Sequence, residues 1–114
     1  MLNFKDYTIE ALSTASYPNI GGNLIYPALG LCGEAGEVAE KIKKLWRNEH
    51  ISSGRQLKSE QTIEVVKELG DCLWYIAALA FELNIDLSYI AEKNLEKLKD
   101  RKERNVIKSE GDNR

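Results

Sequence analysis

The chain has 114 residues, 43% of them hydrophobic and 30% charged, with 2 prolines, which fits one compact domain and excludes both a second ordinary domain and extensive disorder. A formal charge of -2 excludes a broad cationic surface for nucleic acid polymers, although lysines and arginines crowd between Lys93 and Arg104. Cys32 and Cys72 stand apart in neither a CxxC nor a zinc spacing, and no basic-then-apolar leader or long apolar run occurs, so the expectation is a reducing cytoplasm and no membrane.

The first helix is expected from about Phe4 to Ser16, with Asn3 as N-cap and Leu2 stapled to Tyr7. Tyr17-Pro18-Asn19-Ile20-Gly21-Gly22 breaks it, since proline biases Tyr17 away from helix and paired glycines loosen the chain. That connection suits a lid beside a substrate. The second helix starts near Pro27, which a first turn tolerates, and reaches about Arg47. With Ala35 at zero and about 100° per residue, Ala28, Leu31, Val38, Ala39, Ile42, Leu45 and Trp46 form one apolar stripe. Glu34 then falls at about 260° and Glu37 at about 200°, on one flank of the stripe.

Residues 48–58 are polar and read as a mobile loop, and Ser59 is the expected N-cap of a third helix reaching about Leu83. With Leu69 at zero, Glu68 lies at about 260° and Asp71 at about 200°, the same offsets as Glu34 and Glu37. Two helices burying their stripes in one core would bring both carboxylate pairs to a shared edge. Residues 84–86 make a short turn, with Asp86 as cap, Ile85 stapled to Ile90, and a fourth helix as antiparallel neighbour running to about Arg104. On its wheel Asn94, Lys97 and Arg101 share one flank, an amide and two cations in a row. The domain is expected over residues 1–107, followed by a polar C-terminal tail, 108–114. Trp46 reads as core, Trp74 as an interface residue off the stripe, Tyr75 as an aromatic on the acidic flank, and the two cysteines as small buried residues.

Clustered carboxylates repel one another and call for cations, and hard oxygen ligands select magnesium, or manganese, over zinc. Glu-x-x-His is absent, because the only histidine, His50, has Arg47 three residues before it; this disfavours redox iron. No G-x-x-x-x-G-K-[ST] loop occurs, so a P-loop NTPase is excluded. A metal cluster beside a basic row points to a polyphosphate substrate held partly through metal.

Gly33-Glu34-Ala35-Gly36-Glu37 and Glu68-Leu69-Gly70-Asp71, followed by Asn94, Lys97 and Arg101, resemble the EExxE, ExxD and Asn/Lys/Arg signatures of the MazG-like nucleotide pyrophosphohydrolases. The resemblance implies an all-α, four- to five-helix bundle completed by dimerisation, as a homodimer or homotetramer. It implies magnesium on Glu34, Glu37, Glu68 and Asp71, and hydrolysis of a nucleoside triphosphate to monophosphate and pyrophosphate. It also implies Asn94, Lys97 and Arg101 on the substrate, with Glu37 or Glu40 as the catalytic base. Gly33 replaces the first glutamate of EExxE, removing one ligand or base. The alternative is a non-catalytic helical bundle that binds a nucleotide or a protein through the same surface.

Overall fold

The computed structural model describes residues 1–105 and 111–112. They form four α-helices, α1 (Phe4–Leu12), α2 (Ile25–Glu49), α3 (Ser59–Glu82) and α4 (Leu87–Glu103), with one 3-10 turn at Gly54–Gln56 and, among the described residues, no strand. The fold is all-α. The expected boundary at 107, and the tail apart from Gly111 and Asp112, lie outside the described residues.

Local chemistry sets the ends. Asn3 Oδ1 accepts from Asp6 N at 2.8 Å and starts α1 as expected. α1 stops at Leu12 rather than Ser16, because the Ser13 and Thr14 hydroxyls donate to the carbonyls of Glu10 and Ala11 and compete with helical bonding. α2 begins at Ile25, ahead of Pro27, because Asn23 Oδ1 accepts from Ile25 N and Tyr26 N at 3.1 Å each. The loop after α2 is closed by Gln56 Oε1, which accepts from Ser52 N and Ser53 N at 3.0 and 3.1 Å. Ser59 is the first residue of α3 rather than its cap. Asp86 does flank α4, but its side chain makes no capping bond.

α4 leaves α3 at 99° instead of folding back antiparallel. Asn84 adopts a left-handed backbone (φ 59°), Asn84 N donates to Phe81 O, and Ile85 N donates to Ala80 O, each at 3.0 Å. This closing turn, with its left-handed residue just past the helix end, redirects the chain sharply.

α2 and α3 run antiparallel in the most extensive contact of the fold, with Gly30 against Tyr75, Lys41 beside Glu64 and Glu68, and Glu49 accepting from Gln61. Leu31, Val38 and Leu45, the edge of the α2 stripe nearest Glu34, are half-buried. The centre of that stripe is uncovered: Ile42 is 45% exposed and Trp46, expected in the core, 57%. Cys32, expected to be buried, is exposed too. The fully buried side chains of α3 are small, Ala77, Ala78 and Ala80.

The 17–23 connection is pinned, not free to act as a lid. Glu82 at the end of α3 accepts from the Tyr17 hydroxyl and from Gly21 N and Asn23 N, the last two at 2.8 Å, while the Tyr17 ring stacks on Tyr26 at 5.1 Å. The Tyr17 hydroxyl, then Asn23 N, hold the Glu82 carboxyl below the usual glutamate range. A depressed folded value stabilises the fold above the unfolded value, and that stability is lost as pH falls through the folded value. Glu82→Gln is therefore expected to lower the melting temperature at neutral pH. The gap from the parent should close on acidification through the carboxylate range; an unchanged gap in strong acid would contradict this role.

Candidate metal centre

The antiparallel α2–α3 seam runs along the acidic flank of both helices. It brings Glu34, Glu68 and Asp71 together, with one carboxylate oxygen of each within 4.8 Å of the others. Glu34 and Glu68 are partly buried and Asp71 is exposed, so the group opens to solvent on one side. Burial, then the charges of Asp71, Glu68 and Glu37, push the Glu34 carboxyl above the usual range, and a hydrogen bond with Glu68 adds to the shift. The nearby cation is Lys41, 3.6 Å from Glu68 and 3.5 Å from Glu64.

The other two acids of the α2 motif are placed differently. Glu37 is exposed and outside the group, though its charge reaches Glu34. Glu40 lies 2.9 Å from Lys43 and 3.6 Å from Lys44, and Lys43 first of all holds its carboxyl below the usual range. A Cβ at Gly33 would meet nothing within 4 Å, so packing does not impose glycine there. Burial, and then the charges of Glu34, Asp71 and Glu68, push the Cys72 thiol up, which argues against a thiolate nucleophile.

Beside the carboxylates is a hollow of about 320 Å³ lined by Glu34, Asp71, Trp74 and Tyr75. Trp74, expected at an interface, is used within the chain, between α3 and the end of α1: its Nε1 donates to Ala11 O at 2.9 Å and Thr14 Oγ1 at 3.1 Å. Tyr7 of α1 sits within electrostatic reach of Asp71, and its hydroxyl is raised first by burial and then by that charge. The Tyr75 ring lies against Gly30, where any Cβ would overlap it. Gly30→Ala is expected to cost about 1–3 kcal/mol by overpacking. Most of that cost should vanish in a Tyr75→Ala background, read from denaturant unfolding of the four proteins; an equal cost in both backgrounds would show that the ring is not what the methyl meets.

On α4, Asn94 is exposed in a shallow groove with Tyr89, Ile90 and Lys97. Lys97 and Arg101 converge on Asp112, whose Oδ1 is 3.1 Å from Lys97 Nζ and 3.0 Å from Arg101 Nη2; Arg101 Nη2 also donates to the Asp112 carbonyl at 3.1 Å. Arg101, then Lys97, keep the Asp112 carboxyl below the usual range.

Motif reading overlooks three contributors. Lys41 falls at about 240° on the α2 wheel, on the acidic flank, and extending the wheel one turn finds it. Tyr7 and Asp112 carry no local signal, because each reaches its partner only through tertiary packing.

The family profile described as the MazG nucleotide pyrophosphohydrolase domain matches residues 27–106, which contain all of these motif positions. The chain belongs to the MazG family. It is 42% identical over 113 residues, 95% of this chain and 96% of the relative, to the protein called Gene 37 protein of Mycobacterium phage L5. No solved structure matches significantly. Within the MazG domain, α2 and α3 carry the carboxylates and α4 the cations. Among the described residues no single helix is long and apolar enough to cross a membrane.

Proposed function

We propose that this MazG-family chain is a magnesium-dependent nucleoside triphosphate pyrophosphohydrolase. The observation that carries the reading is the convergence of Glu34, Glu68 and Asp71 from two helices. The donor set fits the ion: all three atoms are hard oxygens, mutually repelling, half-sheltered and open on one side. Glu34, Glu68 and Asp71 would hold magnesium, or manganese, with Glu37 at the margin; when bound, such an ion neutralises phosphate charge and acidifies water.

The remaining roles fall to the chain itself. Glu37, exposed next to the group and, among the described residues, engaged by no lysine as Lys43 and Lys44 engage Glu40, accepts the proton of the attacking water. Water oxygen bonds the α-phosphorus, the bond from that phosphorus to the bridging oxygen breaks, and pyrophosphate leaves. Lys97 and Arg101 hold outer phosphates, Asn94 adds a polar contact, and the hollow at Trp74 and Tyr75 takes the nucleoside side.

A single copy is an incomplete fold. Its accessible surface is 8650 Å², against about 6,300 Å² for a folded monomer of this mass. Its radius of gyration is 16.9 Å, against about 13 Å for a compact chain of this length. The excess of about 2,300 Å² is the scale of an obligate interface. It coincides with the uncovered apolar faces of α2 and α3, at Ile42 and Trp46 and at Ile63 and Val66. A second copy of the chain covers them, giving a homodimer or a pair of dimers. The unpaired thiols, one exposed, suit a reducing cytoplasm.

The function is tested by incubating pure protein and magnesium with a panel of standard and damaged nucleoside triphosphates, scored for pyrophosphate. Turnover of at least one, abolished by chelator, is the expected result. Tight nucleotide binding without turnover across the panel would instead select the non-catalytic module.

A further inference from the structure

Arg101 is the one charged residue among the described ones that is buried, at 4% exposure, and its Nε is sealed from solvent with no hydrogen-bond partner. Its Nη2 meets Asp112 twice, through the carboxylate and through the carbonyl. Asp112 itself is an outer layer, its side chain 79% exposed while that of Arg101 is 5% exposed. Lys97, half exposed, shares the same carboxylate oxygen. Two cations of one helix face thus hold a single anionic group that faces solvent.

We propose that Asp112 is a resident, displaceable anion in the phosphate seat formed by Lys97 and Arg101, so that a phosphate oxyanion binds there only by exchanging with this carboxylate. The proposal rests on the reading of Lys97 and Arg101 as phosphate contacts and adds a competitor carried by the chain.

Access supports exchange. The Asp112 side chain is largely exposed while that of Arg101 is nearly enclosed, so an anion arriving from solvent meets the Asp112 carboxylate at Nη2 first. Strength supports it as well. An ion pair whose carboxylate is largely solvated contributes little, whereas phosphate brings more charge and several acceptor oxygens to a guanidinium fork. Asp112 therefore sets a threshold: it keeps two cations paired when no polyphosphate is present, and weak anions that cannot outcompete it are refused.

The probe is inorganic pyrophosphate, titrated calorimetrically in chelator, so that neither metal nor hydrolysis takes part. Asp112→Asn keeps the size of the side chain, removes its charge, and lies at an exposed position that the fold tolerates. It is expected to bind pyrophosphate about fivefold more tightly than the parent, the upper range for an exposed ion pair. Arg101→Gln is expected to abolish binding in either background, with melting curves confirming that each variant is folded; Lys97→Gln, at a half-exposed position, repeats the test if Arg101→Gln does not fold. Unchanged or weaker binding by Asp112→Asn would overturn the competitor role and make Asp112 a brace for Arg101. Tighter binding that persists in the Arg101→Gln or Lys97→Gln background would place the anion elsewhere and overturn the seat. Neither outcome bears on magnesium-dependent turnover, which is read separately.

Discussion

Asp71→Asn is expected to lose about a thousandfold in turnover while its metal-free fold becomes more stable, and both effects have one origin. Three carboxylate oxygens within 4.8 Å repel one another in the absence of a cation, and the upward push on Glu34, due first to burial, includes the charges of Asp71 and Glu68. Asparagine keeps the shape of Asp71 and removes one of the repelling charges, so unfolding in chelator should move to higher denaturant. With magnesium the sign reverses, because a ligand has gone; a thousandfold corresponds to about 4 kcal/mol of lost transition-state stabilisation. The parent should gain stability on adding magnesium and the variant should gain much less. Turnover and metal-free stability falling together would make Asp71 a structural residue. Full turnover by the variant would remove it from the centre altogether.

Val66→Asp is expected to break the assembly. Val66 is 56% exposed in the single chain and falls on the α3 helical wheel opposite Glu68 and Asp71, on the side of the exposed Ile63. Covering a valine contributes about 1.5–3 kcal/mol, and burying an unpaired aspartate costs more. In a two-fold interface the change occurs twice, so the dissociation constant should rise by at least about 10³. Sedimentation across a concentration series reads this directly: the parent should stay associated where the variant sediments as a monomer. A parent that is itself monomeric and fully folded at low micromolar concentration would contradict the incomplete-fold argument.

What is legible in the sequence is what repeats at helical spacing. The four helices, their order, the extent of α3 and the common flank of Glu34, Glu68 and Asp71 all follow from a 3.6-residue period and need no tertiary information. The ends of helices are less legible, because Asn23 acts from two residues before Ile25 and Ser13 and Thr14 terminate α1 through bonds to nearby backbone. The direction of α4 is not legible either: a short turn reads as antiparallel until Asn84 is known to be left-handed. The α2 stripe is legible as apolar but reads as the core of a single chain. The structure buries only its edge there and leaves Ile42 and Trp46 exposed. The resemblance to the MazG-like signatures supplies the chemistry that spacing alone cannot, and the packing then separates Glu34 from Glu37, which the wheel treats as a pair.

The central claim is hydrolysis at the α-phosphorus on the Glu34, Glu68 and Asp71 centre, and isotope placement tests it most directly. The protein turns over a nucleoside triphosphate with magnesium in ¹⁸O-labelled water, and both products are weighed by mass spectrometry. The expected result is one label in the nucleoside monophosphate and none in pyrophosphate, with no orthophosphate formed and no reaction by Asp71→Asn. Label in pyrophosphate or orthophosphate, or unlabelled monophosphate, would contradict it.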